Sequence, residues 1–99
     1  MKLSIDTSNN LKTIVRLNDV EVIEKYKNPR EQRLLELIEK ALRKKKIEFQ
    51  DLRQIEVNNG PGSFTGLRVG CAVANALSWL LKIPINNKRV GELVEPKYE

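Results

Sequence analysis

The sequence predicts an α/β fold built on a mixed sheet, and three patterns carry that expectation. Short alternating apolar runs fill the first quarter of the chain, two segments of helical period follow, and a glycine-rich junction joins a short apolar strand to the second of them. Alternation of period two is what a half-buried strand needs, whereas recurrence at three and four positions keeps one side of a helix on a core. The order strand, helix, strand, loop, helix then implies parallel pairing of the later strands, because a helical crossover brings the chain back in the same direction.

Lys2 to Asp6 alternates short apolar residues and runs into Thr7-Ser8-Asn9-Asn10, a hairpin-type turn. In the next strand Leu11, Thr13, Val15 and Leu17 share one side, and Lys12, Ile14 and Arg16 the other. Asn18-Asp19 is a second tight turn, and Val20, Val22 and Lys25-Tyr26 complete an antiparallel meander. Asn28-Pro29 stops the strand and starts a helix from Arg30 to Lys46, since a proline at the first helical position gives up a donor that would be unpaired anyway. Its apolar residues Leu34, Leu35, Leu37, Ile38, Ala41 and Leu42 cover an arc of roughly 160°, wider than one sheet contact requires. Ile47-Glu48-Phe49, a turn at Gln50-Asp51-Leu52 and a short strand at Ile55-Glu56-Val57 lead into the glycine-rich loop.

The second helix spans Ser63 to Lys82. Val69, Val73, Leu77 and Leu80 fall within an arc of about 80°, a face of large residues suited to packing on a sheet. The other side carries Leu67, Gly70, Cys71, Ala74 and Ser78, most of them small. Such a stripe is expected to admit another helix closely, whether the first helix of the same chain or a helix of another protein.

Composition excludes several classes of function. The chain has 99 residues, enough for one core, with 40% hydrophobic and 31% charged residues. A single cysteine, Cys71, excludes a disulfide framework and fits a reducing, cytoplasmic setting. The absence of histidine removes the commonest general base and the commonest metal ligand, so no metal site is expected. No signal-peptide pattern opens the sequence, and the apolar region from Val69 to Leu81 reads as too short to span a bilayer. The net charge of +5 allows a nucleic-acid partner, with Arg43, Lys44, Lys45 and Lys46 as the contact cluster. The plainer reading is that these cations complement the negative end of a helix dipole and stay solvated.

The loop Gly60-Pro61-Gly62-Ser63-Phe64-Thr65-Gly66 fits neither nucleotide motif. A phosphate-binding loop needs a lysine after its last glycine, where this chain has Leu67-Arg68, and Pro61 removes one amide from any cradle. The dinucleotide fingerprint fails on glycine spacing and lacks the acid about 20 positions on. Two readings remain for Gly60, Pro61, Gly62, Ser63, Thr65 and Gly66: a weak anion site at a helix N-terminus capped by Ser63, or a turn with structural duties alone.

The run Gly60-Pro61-Gly62-Ser63-Phe64-Thr65-Gly66-Leu67-Arg68-Val69-Gly70, with Ile5-Asp6-Thr7-Ser8 at the first strand end and Leu34-Leu35-Glu36-Leu37-Ile38 on the first helix, closely resembles the TsaB (YeaZ) family. That family belongs to the actin-like ATPase superfold and is the non-catalytic partner in bacterial threonylcarbamoyladenosine synthesis on tRNA. The resemblance implies a single ribonuclease-H-like lobe over residues 1–87, with a mixed five-stranded sheet covered by helices, and a short charged tail over 88–99. It implies a scaffold that pairs with a TsaD-like catalytic subunit, joined by a TsaE-like ATPase, through Leu34, Leu37 and Ile38 of the first helix and Leu67, Arg68, Gly70, Cys71, Ala74, Asn75 and Ser78 of the second. Family members have two lobes with a cleft between them, so one lobe is expected to hold no ATP and no cofactor, and to form a homodimer when the partner is absent. A basic module touching tRNA through Arg43 to Lys46, and a vestigial nucleotide-binding enzyme using Asp6 and the 62–66 turn, are the competing expectations.

Overall fold

Alternating side chains make the first strands amphipathic, and the structure turns that alternation into a sheet with one buried and one open face. The computed structural model describes residues 1–28 and 32–97; the expected helix start at Pro29 and Arg30 lies outside the described residues. Strands β1 (Lys2–Asn9), β2 (Lys12–Leu17) and β3 (Val20–Lys25) form the antiparallel meander. Helix α1 (Leu34–Lys45) and a 3₁₀ turn at Phe49–Asp51 lead to β4 (Gln54–Val57), which pairs parallel to β1 and gives the order β3-β2-β1-β4. Helix α2 (Phe64–Leu81) follows.

Leu3, Ile5, Val15, Leu17, Val22, Ile55 and Val57 line the buried face, joined there by Leu34, Leu37, Ile38, Ala41 and Leu42 of α1. Each of the Val, Leu and Ile side chains contributes about 1.5–3 kcal/mol by leaving water. Both helices pack on this one face, α1 over β2 and β3 and α2 over β1 and β4. The opposite face, with Ser4, Asp6, Ile14, Arg16 and Glu56, stays open.

Four departures from expectation have physical causes. The expected fifth strand is absent among the described residues: Ile85 makes one parallel bridge to Ile55, and the left-handed Asn86 and Asn87 (φ 49° and 61°) then turn the chain away before a ladder can form. β1 runs on to Asn9 through a register shift after Asp6, which narrows the hairpin turn, and Asn9 Oδ1 accepts the Leu11 N–H at 2.8 Å. α1 begins at Leu34, after non-helical Gln32 and Arg33, because the apolar positions that anchor it on the sheet start there. The tail is part of the packed molecule: Val94 is 2% exposed, and Lys97 N–H reaches Asn59 O at 2.6 Å.

Candidate protein-docking face

The glycine-rich loop is a tight junction between β1, β4 and α2. Ser63 N–H donates to Ser8 O at 2.8 Å, Ser63 Oγ accepts from Gly66 N–H at 3.3 Å, and Leu67 N–H donates to Ser63 O at 2.9 Å. Three amides at the helix entrance are thus committed inside the chain, with Ser63 as the expected cap. Thr7 Oγ1 donates to Gly66 O at 2.6 Å, tying β1 directly to the helix backbone. A Cβ on Gly66 would lie 2.1 Å from Thr7 O, and one on Gly70 would lie 2.2 Å from Thr7 Oγ1. Only glycine permits so close an approach of helix to strand.

That approach reverses the expected orientation of α2. Leu67, Gly70, Cys71, Ala74 and Ser78, expected to meet another helix of the same chain or of a partner, are buried within the chain, on a helix that packs mainly on β1 and β4. Ser78 Oγ donates to Ile83 O at 2.6 Å, and burial pushes the Cys71 thiol up, leaving it a neutral packing group. Leu34, Leu37 and Ile38 of α1 are likewise spent in the core. Asn75 is half-buried and holds the main chain of Val94. Of the expected contact positions, Arg68 alone is exposed. A helical wheel separates two faces but does not say which meets the sheet; the Thr7 hydroxyl decides that, since it can reach the helix backbone only past glycine.

The large residues are consequently turned outward. Phe64, Trp79 and Leu80 are 56%, 68% and 65% exposed, with Ala72 and Ala76 exposed between them, and Val69, Val73 and Leu77 lie half-buried at the margin of the core. The Arg68 guanidinium sits 5.4 Å from the Phe64 ring centroid, a cation–π contact. Val90, itself exposed, extends the apolar surface past the end of the helix, where a cleft of about 480 Å³ is lined by Trp79, Leu80, Lys82, Val90 and Gly91. Length and composition alone would let α2 cross a bilayer, yet its small-residue stripe is closed on the sheet. The signal for this face was present in sequence: no Asp or Glu occurs between Glu56 and Glu92. A solvated helix face carries such residues, and a contiguous apolar one marks an interaction site.

The other expected sites lie apart from this face. Arg43 and Lys44 are exposed in the last turn of α1, Lys45 pairs with Asp19 of the β2–β3 turn and holds that carboxyl below its ordinary value, and Lys46 is the left-handed cap. On the open face a cleft of about 450 Å³ is bordered by Asp6, Arg16, Asn58, Asn86 and Asn87. Burial works to raise the Asp6 carboxyl there, but the Ser8 hydroxyl and amide, Asn58 and the Lys12 charge outweigh it and hold the group below the usual carboxylate range.

Comparison with known proteins agrees with this architecture. A family model described as TsaD, tRNA N6-adenosine threonylcarbamoyltransferase, matches residues 24–87. The tRNA threonylcarbamoyladenosine biosynthesis protein TsaB of Bacillus subtilis is 39% identical over 88 residues, which covers 85% of this chain. The chain belongs to the TsaB (YeaZ) family. The TsaB of Escherichia coli is 31% identical over 86 residues, and YeaZ from Pseudomonas aeruginosa superposes with a TM-score of 0.69 at 26% identity over 85% of this chain. The chain spans 38% and 37% of those two TsaB relatives and 42% of the YeaZ structure.

Proposed function

We propose that this chain acts as a TsaB-like scaffold that serves threonylcarbamoyladenosine formation on tRNA by docking the outer face of α2 on a TsaD-like catalytic subunit. The observation that carries this reading is the exposed apolar face from Phe64 through Ala72 to Trp79 and Leu80, on a helix whose other side is fully occupied. Its margin is basic, through Arg68 and Lys82, so the complementary surface is apolar with an acidic rim. Catalytic groups belong to the partner in this reading, and a TsaE-like ATPase joins the pair in the cytoplasm. The names of the relatives support the pathway.

The test is light scattering coupled to size-exclusion chromatography, with the chain alone and mixed with the TsaD-like protein of its source. A one-to-one complex is expected. Ala72→Glu and Trp79→Glu, both exposed substitutions, are expected to weaken it at least tenfold, consistent with an aromatic anchor at the centre of an interface. A complex indifferent to both would overturn the assigned face, and no complex at all would overturn the scaffold reading.

A further inference from the structure

Residues 88–97 run back over the C-terminal half of α2 to the 58–60 loop, held by bonds that all use the main chain of the returning segment. Asn75 Nδ2 donates to Val94 O at 2.8 Å and its Oδ1 accepts the Val94 N–H at 2.9 Å. Asn59 Nδ2 donates to Glu95 O at 3.2 Å, and Asn59 O accepts the Lys97 N–H at 2.6 Å. Between Glu92 and Lys97 only the Val94 side chain is buried; Pro96 is half-buried and the others are exposed. Gly60 forms the far wall, where a Cβ would lie 1.9 Å from Lys97 O. Upstream, an exposed turn joins Glu92 N–H to Arg89 O at 3.0 Å, and Gly91 (φ 98°) has open space around it.

One amide that satisfies both the N–H and the C=O of a single residue replaces a neighbouring strand, the means by which extended peptides are read independently of most of their side chains. We infer that α2 and the 58–60 loop form a groove for an extended peptide carrying one branched apolar residue, and that residues 92–97 are its exchangeable occupant in cis. Exchange is favoured by the small footprint, one buried side chain and a handful of peripheral hydrogen bonds, which places the segment among the locally opening parts of a fold. Release would carry Val90 away from Trp79 and Leu80, so the latch sets how far the apolar surface extends. The inference stands on these contacts whether or not the α2 face binds a catalytic subunit.

The experiment uses the full chain with Val94→Asp, which undocks the latch, and a labelled synthetic peptide of residues 91–97, Gly-Glu-Leu-Val-Glu-Pro-Lys, read by fluorescence anisotropy. The variant is expected to bind this peptide, and the unsubstituted chain to bind it at least tenfold more weakly, because a tethered segment competes at an effective concentration on the order of millimolar. Adding Asn75→Ala to the variant, or replacing the peptide's valine by aspartate, is expected to abolish binding. A folded variant that takes up no peptide, or takes it up equally well without Asn75, overturns the groove. Hydrogen exchange supplies a second readout if Val94→Asp does not fold: Asn75→Ala alone is expected to speed exchange at the Val94 amide tenfold or more with β1 and β2 amides unchanged, and undiminished protection at Val94 overturns the latch.

Discussion

At residue scale the molecule turns on Gly66 and Thr7. The hydroxyl of one reaches the carbonyl of the other, and no Cβ fits between strand and helix at that point. Gly66→Ala therefore has to push α2 off β1 and is expected to destabilise the chain by about 1–3 kcal/mol, the range for overpacking a well-filled contact. A shift of the urea midpoint measures this, with the exposed Ala76→Ser as a control expected to stay within about 0.5 kcal/mol of the parent. The glycines themselves were legible in the sequence, and so was their structural use at a strand-to-helix junction. Their target was not, because the nearest atoms belong to Thr7, Ser8 and Lys97, all far away along the chain.

At the scale of elements, α2 was foreseen almost residue for residue, from Ser63 to Lys82 against the observed Phe64–Leu81 with its Ser63 cap. Ser63→Ala removes the oxygen that accepts the Gly66 amide and is expected to cost about 1 kcal/mol of stability, seen as a lower urea midpoint and faster exchange at that amide. Volume alone points the other way for the helix orientation, placing the large apolar residues on the sheet and the small ones against another helix, of the same chain or of a partner. The sheet took the small ones because the helix is anchored by its backbone. α1 followed the simpler rule, with Leu34, Leu37, Ile38, Ala41 and Leu42 inward as their spacing indicates and Leu35 left exposed.

At the scale of the whole molecule, stability is expected to depend on acid through Asp6. Its folded carboxyl titrates below the ordinary aspartate value, so the folded state binds fewer protons than the unfolded chain between those two points. The contribution is present above the unfolded aspartate value and is lost as pH falls through the lower, folded value. Asp6→Asn is expected to reduce stability at pH 7 by about 1 kcal/mol or less, the group being part-exposed and screened, and to flatten the acid limb of the stability curve. Parallel acid limbs for the two proteins in urea titrations would show that Asp6 plays no such part. The same scale brings Asn75 to Val94 and Asn59 to Lys97, making the charged tail a strap across α2.

By itself, the sequence determined the meander, the parallel crossover, the capped second helix and the family, because period, turn residues and an uninterrupted motif are local properties. Tertiary structure alone decided which side of α2 meets the sheet, that Ile85 adds a bridge and no strand, and that residues 88–97 dock. Those outcomes rest on contacts between distant positions, where one hydroxyl, one missing Cβ or one side-chain amide outweighs the volume and charge that a linear pattern displays.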